Sequence, residues 1–211
     1  MSVSLIRGAN ISLTKTVPDI ERISVYLGWN AYPVDTTKFD LDEILNMDLN
    51  ANNGTGFDVD ASCFMLNSSG KVRIDEDFIF YNNVRSTCGS VERLSSSLQG
   101  SSSSDKELFS INLGLVPFDV AKLDFSVTIH EADIRKQNFC MVHNAFIRIV
   151  NQKDHNEIAR FDLPDEDSTN TAVIFGEIYR HNNEWKFKAI GQGYDGGLAP
   201  LARNFGVDVE D

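Results

Sequence analysis

The residues best suited to chemistry in this sequence are carboxylates that recur in pairs. Asp58 and Asp60 stand in FDVDAS, and Asp75 and Asp77 in RIDEDFIFYNN. Asp105 and Glu107 follow a serine-rich stretch, and Asn82 and Asn83 close the short aromatic run after Asp77. Residues two apart on an extended chain leave the same face, so Asp58 and Asp60 are expected side by side, and Asp75 and Asp77 likewise. Carboxylates gathered in this way repel one another unless a cation sits among them. A hard cation such as Ca²⁺ takes roughly six to eight oxygens from carboxylates, amide carbonyls and backbone, and these Asp and Asn residues offer such donors. Zinc and copper prefer His and Cys. Here His130, His143, His155 and His181 are scattered, and Cys63, Cys88 and Cys140 match no zinc spacing. The competing reading is ordinary: Asp and Asn hydrogen-bond their own backbone in turns, and an acidic chain has many of them. Residue chemistry alone leaves both open.

The Phe-Asp-x-Asp unit occurs twice, once with Asp40 and Asp42 and once with Asp58 and Asp60. Between the copies, Asp48, Asn50 and Asn52 occupy the first three ligand positions of an EF-hand loop. Asn53 stands where that loop needs Gly, however, and Val59 where it needs a bidentate Glu, so an Asn-Gly turn is the better reading. No nucleophile elbow, phosphate-binding loop or zinc-protease motif occurs. Carboxylate pairs also serve glycoside hydrolysis, yet no aromatics lining a sugar cleft can be picked out. Trp29 and Trp185 lie in strand patterns and read as core, and His143 reads as a turn or core residue. No catalytic residue and no organic cofactor site is assigned.

The elements that must position these groups are strands. ERISVYLGW, LFSINL, KLDFSVTIH and EWKFKAIGQ alternate apolar and polar residues, the mark of strands with one face on a core and one in water. NAFIRIVN and TAVIFGEIY are more continuously apolar and fit central strands. Turn residues separate them at 67–70, 82–83, 87–89, 151–156 and 182–183. The predicted fold is all-β, an antiparallel sandwich of two sheets, with short helices at LVPFDVAK and, near the C-terminus, GLAPLARNF. One domain over 1–211 is expected, with a flexible serine-rich loop at 95–104 and an acidic, frayed tail at 207–211.

Composition narrows the partners. Thirty-one acidic residues oppose nineteen Lys and Arg, a formal net charge of -12. That surface repels phosphate backbones and bare anionic lipid, so nucleic acid is excluded and cations are favoured. At 211 residues, 42% of them hydrophobic, the chain can bury a core without disulfides. Three unclustered cysteines fit reduced, buried thiols of a cytoplasm. No secretion signal is visible at the N-terminus, and no stretch approaches the ~20 apolar residues of a membrane span.

Taken in order, the segments MSVSLIRGANISLTK, VYLGWN, FDVDASCFML, FIFYNN, VTIHEADIRKQNF, NAFIRIV and GEIYRHNNEWKFKAIGQGY make the chain resemble the TerD family of tellurium-resistance and stress proteins nearly end to end. The resemblance implies a β-sandwich of the bacterial cytoplasm that binds about two Ca²⁺ without catalysis. It implies a role in tellurite, phage or colicin resistance, with other proteins of a resistance assembly as partners at the inner membrane surface. Carried over by residue, the ligands are Asp58 and Asp60, Asp75 and Asp77, and Asn82 and Asn83. Where the family has Gly-Trp-Asp this chain has Gly28-Trp29-Asn30, and where the family has Asp-Asp-Glu it has Asp105-Lys106-Glu107, which would weaken one ion. Only the second Phe-Asp-x-Asp copy continues as the family does, so residues 39–56 read as a loop insertion, with Asp40 and Asp42 as reserve ligands. Two other functions remain open: a Ca²⁺-dependent membrane-docking sandwich, and an enzyme acting on a phosphorylated or nucleotide-like metabolite.

Overall fold

Alternating apolar residues draw the chain into two six-stranded sheets. The computed structural model describes residues 2–31, 58–94, 104–164 and 169–209. The first Phe-Asp-x-Asp copy, the EF-hand-like segment, the expected insertion, nearly all of the serine-rich loop and the last two residues lie outside them.

The strands are β1 (Val3–Leu5), β2 (Asn10–Ser12), β3 (Arg22–Ala31), β4 (Val59–Leu66), β5 (Phe78–Ile79) and β6 (Val91–Leu94). They continue as β7 (Asp105–Asn112), β8 (Lys122–Ile129), β9 (Val142–Asn151), β10 (Glu157–Asp162), β11 (Ala172–His181) and β12 (Glu184–Tyr194). The first sheet runs β1-β10-β9-β3-β7-β6 and the second β2-β12-β11-β8-β4-β5. Every pairing is antiparallel except that of β1 with β10, which is parallel and departs from the purely antiparallel expectation. The two most apolar segments fall at β9 and β11, each flanked by a strand on both sides as expected.

Between the sheets lies the main core, where Val25, Leu27, Phe109 and Ile147 of the first sheet meet Cys63, Phe125, Val127 and Phe175 of the second. A second core covers the opposite face of the second sheet. There Phe64, Leu66, Phe78 and Ile174 pack under Leu201, Ala202, Phe205 and Val207 of the C-terminal segment. Phe64 stacks on Phe78 at 4.5 Å, and Phe78 on Phe80 at 4.3 Å. This cover corrects one expectation: Asp124, Ser126 and Thr128 of β8 do not face water but are all buried. Buried polar atoms need partners, and Ser126 finds the Ser62 hydroxyl at 2.8 Å.

Three short helices lie among the described residues: α1 (Leu13–Thr16), α2 (Ala132–Arg135) and α3 (Leu198–Asn204). The last matches the expected C-terminal helix. It stops where Gly206 takes a φ of 87°. Gly206 N–H bonds Arg203 O at 2.9 Å and Val207 N–H bonds Ala202 O at 3.0 Å, the paired arrangement of a Schellman stop. The helix expected at LVPFDVAK is absent. Only a 3₁₀ turn forms at Leu113–Leu115, because Val116 precedes Pro117 and is held extended, with ψ 122°. Trp29 is core, but Trp185 is only partly buried, with the Arg180 guanidinium 4.4 Å over its ring. Of the cysteines only Cys63 is buried; Cys88 is half-buried and Cys140 exposed, which corrects the expectation for those two.

Candidate metal-binding site

Asp58 and Asp60 open β4 and lead into its pairing with the end of β8. His130 N–H bonds Asp58 O at 2.8 Å, and Asp60 lies opposite Thr128. The extended backbone keeps the two carboxylates on one side, as their spacing requires. Asp60 is about half-buried. Burial pushes its carboxyl above the usual range, the neighbouring Asp58 charge adds to the shift, and Arg93 and His130 oppose it.

Arg93 belongs to β6, in the other sheet. Its Nε and Nη2 grip Glu107 of β7 at 2.8 and 2.7 Å, and Nη2 lies 3.6 Å from Asp60. Glu107 is also pushed up, chiefly by burial and secondarily by Asp60, with Arg93 pulling against both. Asp60 and Glu107 therefore share one guanidinium across the mouth of the sandwich, and Asp58 adds a third negative charge beside them.

The remaining expected ligands are placed differently. Asp75 and Asp77 do not project side by side from an extended segment, because Asp75–Asp77 forms a 3₁₀ turn. Asp77 turns inward and is fully buried, where Arg73 clasps it through Nε at 2.7 Å and Nη2 at 2.8 Å. Asp75 stays exposed and accepts the Asp208 N–H at 3.0 Å. Asn83 is spent on its own loop, donating through Nδ2 to Glu76 O at 3.1 Å and Phe78 O at 2.7 Å. Asn82 is exposed in the turn beside it.

Asp105 and Glu107 are pulled apart by a register shift: Leu27 of β3 pairs with Glu107, but the next residue, Gly28, pairs with Asp105. Asp105 consequently leaves the site and is buried against Arg148, whose Nε lies at 3.0 Å. Lys106, between them, is exposed.

The fold thus brings Asp58, Asp60 and Glu107 into one neighbourhood, and Asp75 lines the same groove as Asp60. It commits Asp77 and Asp105 to arginines of their own. Among the described residues no three of His, Cys, Asp and Glu stand close enough to enclose a metal. As a donor set, Asp58, Asp60 and Glu107 are hard oxygens that suit Ca²⁺, with Arg93 as their resident counter-charge. Arg73, Arg93 and Arg148 were not foreseen. Their partners are 4, 14 and 43 residues away in sequence, and no local motif links them.

Comparison with known proteins agrees with this architecture. The TerD domain model matches residues 1–205. The tellurium resistance protein TerD of Serratia marcescens is 47% identical over 209 residues, covering 99% of this chain and all of that one. General stress protein 16U of Bacillus subtilis is 44% identical over the same length, with the same coverage. The crystal structure of a Streptomyces coelicolor homologue of TerD superposes with a TM-score of 0.60 at 16% identity, covering 87% of this chain and 95% of that one, which speaks for the fold. The chain belongs to the TerD family of tellurium-resistance and general stress proteins.

Proposed function

We propose that this protein is a calcium-binding, non-catalytic stress-response protein of the cytoplasm that acts as an adaptor or sensor in resistance to tellurite. The observation that carries this reading is the charge imbalance at the mouth of the sandwich: Asp60 and Glu107 share the single guanidinium of Arg93, and burial raises both carboxyls. With Asp58 beside them, negative charge is in excess by two. A group of like charges in a partly buried setting is stabilised by a cation, and the donors are hard oxygens. Asp58 and Asp60 would hold the ion, with Glu107 reaching it if Arg93 swings aside. Asp75, which lines the same groove, is the donor available to a second ion.

The stress-response reading is supported by the names of relatives such as tellurium resistance protein TerD and general stress protein 16U. No helix among the described residues is long and apolar enough to cross a membrane. Partners at the inner face of a membrane would therefore be reached by docking.

Calorimetric titration of metal-stripped protein with CaCl₂ is the test. One or two Ca²⁺ are expected to bind, and Asp58→Asn with Asp60→Asn to remove at least one. A ligand of the native state at a hundred times its Kd stabilises by about 2.7 kcal/mol, so millimolar Ca²⁺ should also raise the melting temperature. Absence of both heat and thermal stabilisation overturns the reading. If Asp40→Asn with Asp42→Asn abolishes binding while the Asp58/Asp60 pair does not, the ion belongs to the first copy.

A further inference from the structure

Beside Asp60 the surface opens into a groove of about 640 Å³, within the roughly 300–1,000 Å³ typical of ligand clefts. It is built by the start of β4, β5 with the turns on either side of it, the end of β8 with α2, and α3 with the segment after its stop. Its floor is apolar, made by Phe78, Phe80, Ile129, Ala132, Leu198 and Val209. The stack of Phe64, Phe78 and Phe80 anchors that floor to the second core, and the Asp208 N–H to Asp75 bond ties one wall to the other. Two large apolar side chains stand in water at the lip, Tyr81 and Ile134, the latter 79% exposed.

The rim is predominantly acidic. Asp60, Asp75, Glu131, Asp133 and Asp208 line it together with His130, and among the described residues no Lys or Arg does. Glu131 is partly answered by Arg135 at 3.0 Å and Asp60 by Arg93 at 3.6 Å, while Asp75, Asp133 and Asp208 are exposed. A phosphate backbone or a bare anionic headgroup is repelled by this rim, and an uncharged apolar ligand leaves it unanswered. The complementary shape is an apolar stripe bordered by cations.

We propose that the groove docks a basic amphipathic helix of a partner protein. Its apolar side chains at i, i+3 and i+4 would fill the floor, and its Lys or Arg would face the rim. The inference deepens the adaptor reading by naming the partner's chemistry, and it does not require metal, because the floor and three of the five rim carboxylates, Glu131, Asp133 and Asp208, lie outside the proposed calcium donors.

The probe is a fluorescein-labelled amphipathic helix of Leu and Lys, followed by anisotropy against the full chain in EDTA. Saturable binding is expected, at least tenfold tighter than to a scrambled peptide of the same composition. Asp133→Lys with Asp208→Lys, both exposed positions, is expected to weaken it at least tenfold. Ala199→Trp, which fills the groove mouth, should do the same. If that variant fails to fold, the charge reversals still decide. Equal binding of the scrambled peptide, or indifference to the charge reversals, overturns the proposal. So does Ca²⁺-dependent binding to phosphatidylserine vesicles with no peptide binding, which assigns the face to lipid. The peptide measurement is made in EDTA, so failure of calcium binding leaves its result unaffected.

Discussion

At the scale of single residues, the fold sorts carboxylates by what answers them. Asp77 and Asp105 are buried and each is clasped by an arginine, which makes them structural. Breaking such a pair from one side leaves an uncompensated charge. Asp124 is a different case. It is 3% exposed; one oxygen accepts from Lys122 Nζ at 2.9 Å, and Oδ1 has no hydrogen-bond partner. Burial pushes its carboxyl up to about 6, against the pull of Lys122, while Glu177 adds repulsion. The folded chain therefore holds this proton more tightly than the unfolded chain. That contribution to stability is complete below the unfolded value of 3.8 and is lost as pH rises through about 6. Asp124→Asn is accordingly expected to raise stability at pH 7.5, by about 1–3 kcal/mol, and to reduce the fall in melting temperature between pH 5 and 7.5. A lower melting temperature than the parent at pH 7.5 would show that the bond to Lys122 outweighs the burial. The charge of Asp124 was legible in the sequence, but its burial was not: alternation in KLDFSVTIH points it to water, whereas in the sheet it stands between Phe64 and Glu177 on neighbouring strands, with Phe64 part of the second core.

At the scale of elements, the local rules held where neighbours in sequence decide the structure. Asn182 and Asn183 both take positive φ, 50° and 62°, and make the two-residue turn between β11 and β12. Pro117 ended a helix before it began, although the apolar pattern of LVPFDVAK suggested one. Where the backbone leaves the regular strand path, alternation was no guide. The 3₁₀ turn at Asp75–Asp77 and the register shift at Gly28 each divert one carboxylate of a pair that simple alternation keeps together. Gly28 is the residue that permits the second: a Cβ there would stand 2.3 Å from Ser104 O and 2.4 Å from the Phe146 ring. Neither backbone nor packed ring yields easily, so Gly28→Ala is expected to cost about 1–3 kcal/mol by overpacking, read from denaturant midpoints. It should also weaken calcium binding, because β7 carries Glu107. Unchanged stability would mean that the shift is set elsewhere.

At the scale of the whole molecule, the sandwich, the C-terminal helix and the family were readable from strand alternation and long ordered motifs. The site was half readable. The carboxylates stood out, but the arginines that claim or share them did not: Arg93 and Arg148 reach Glu107 and Asp105 between strands of the first sheet, Arg93 reaches Asp60 where the two sheets meet, and Arg73 clasps Asp77 within one loop. Net charge of -12 acquires a location in this view: part of it is concentrated around Asp58, Asp60 and Glu107 and along the rim of the adjoining groove. The central claim is that this concentration serves a cation. An anomalous difference map from crystals soaked in CaCl₂ tests it most directly. The account predicts a peak with oxygens of Asp58 and Asp60 at about 2.3–2.6 Å, the distance Ca²⁺ keeps from its ligands. A map with no peak there, or with its only peak at Asp40 and Asp42, would contradict it.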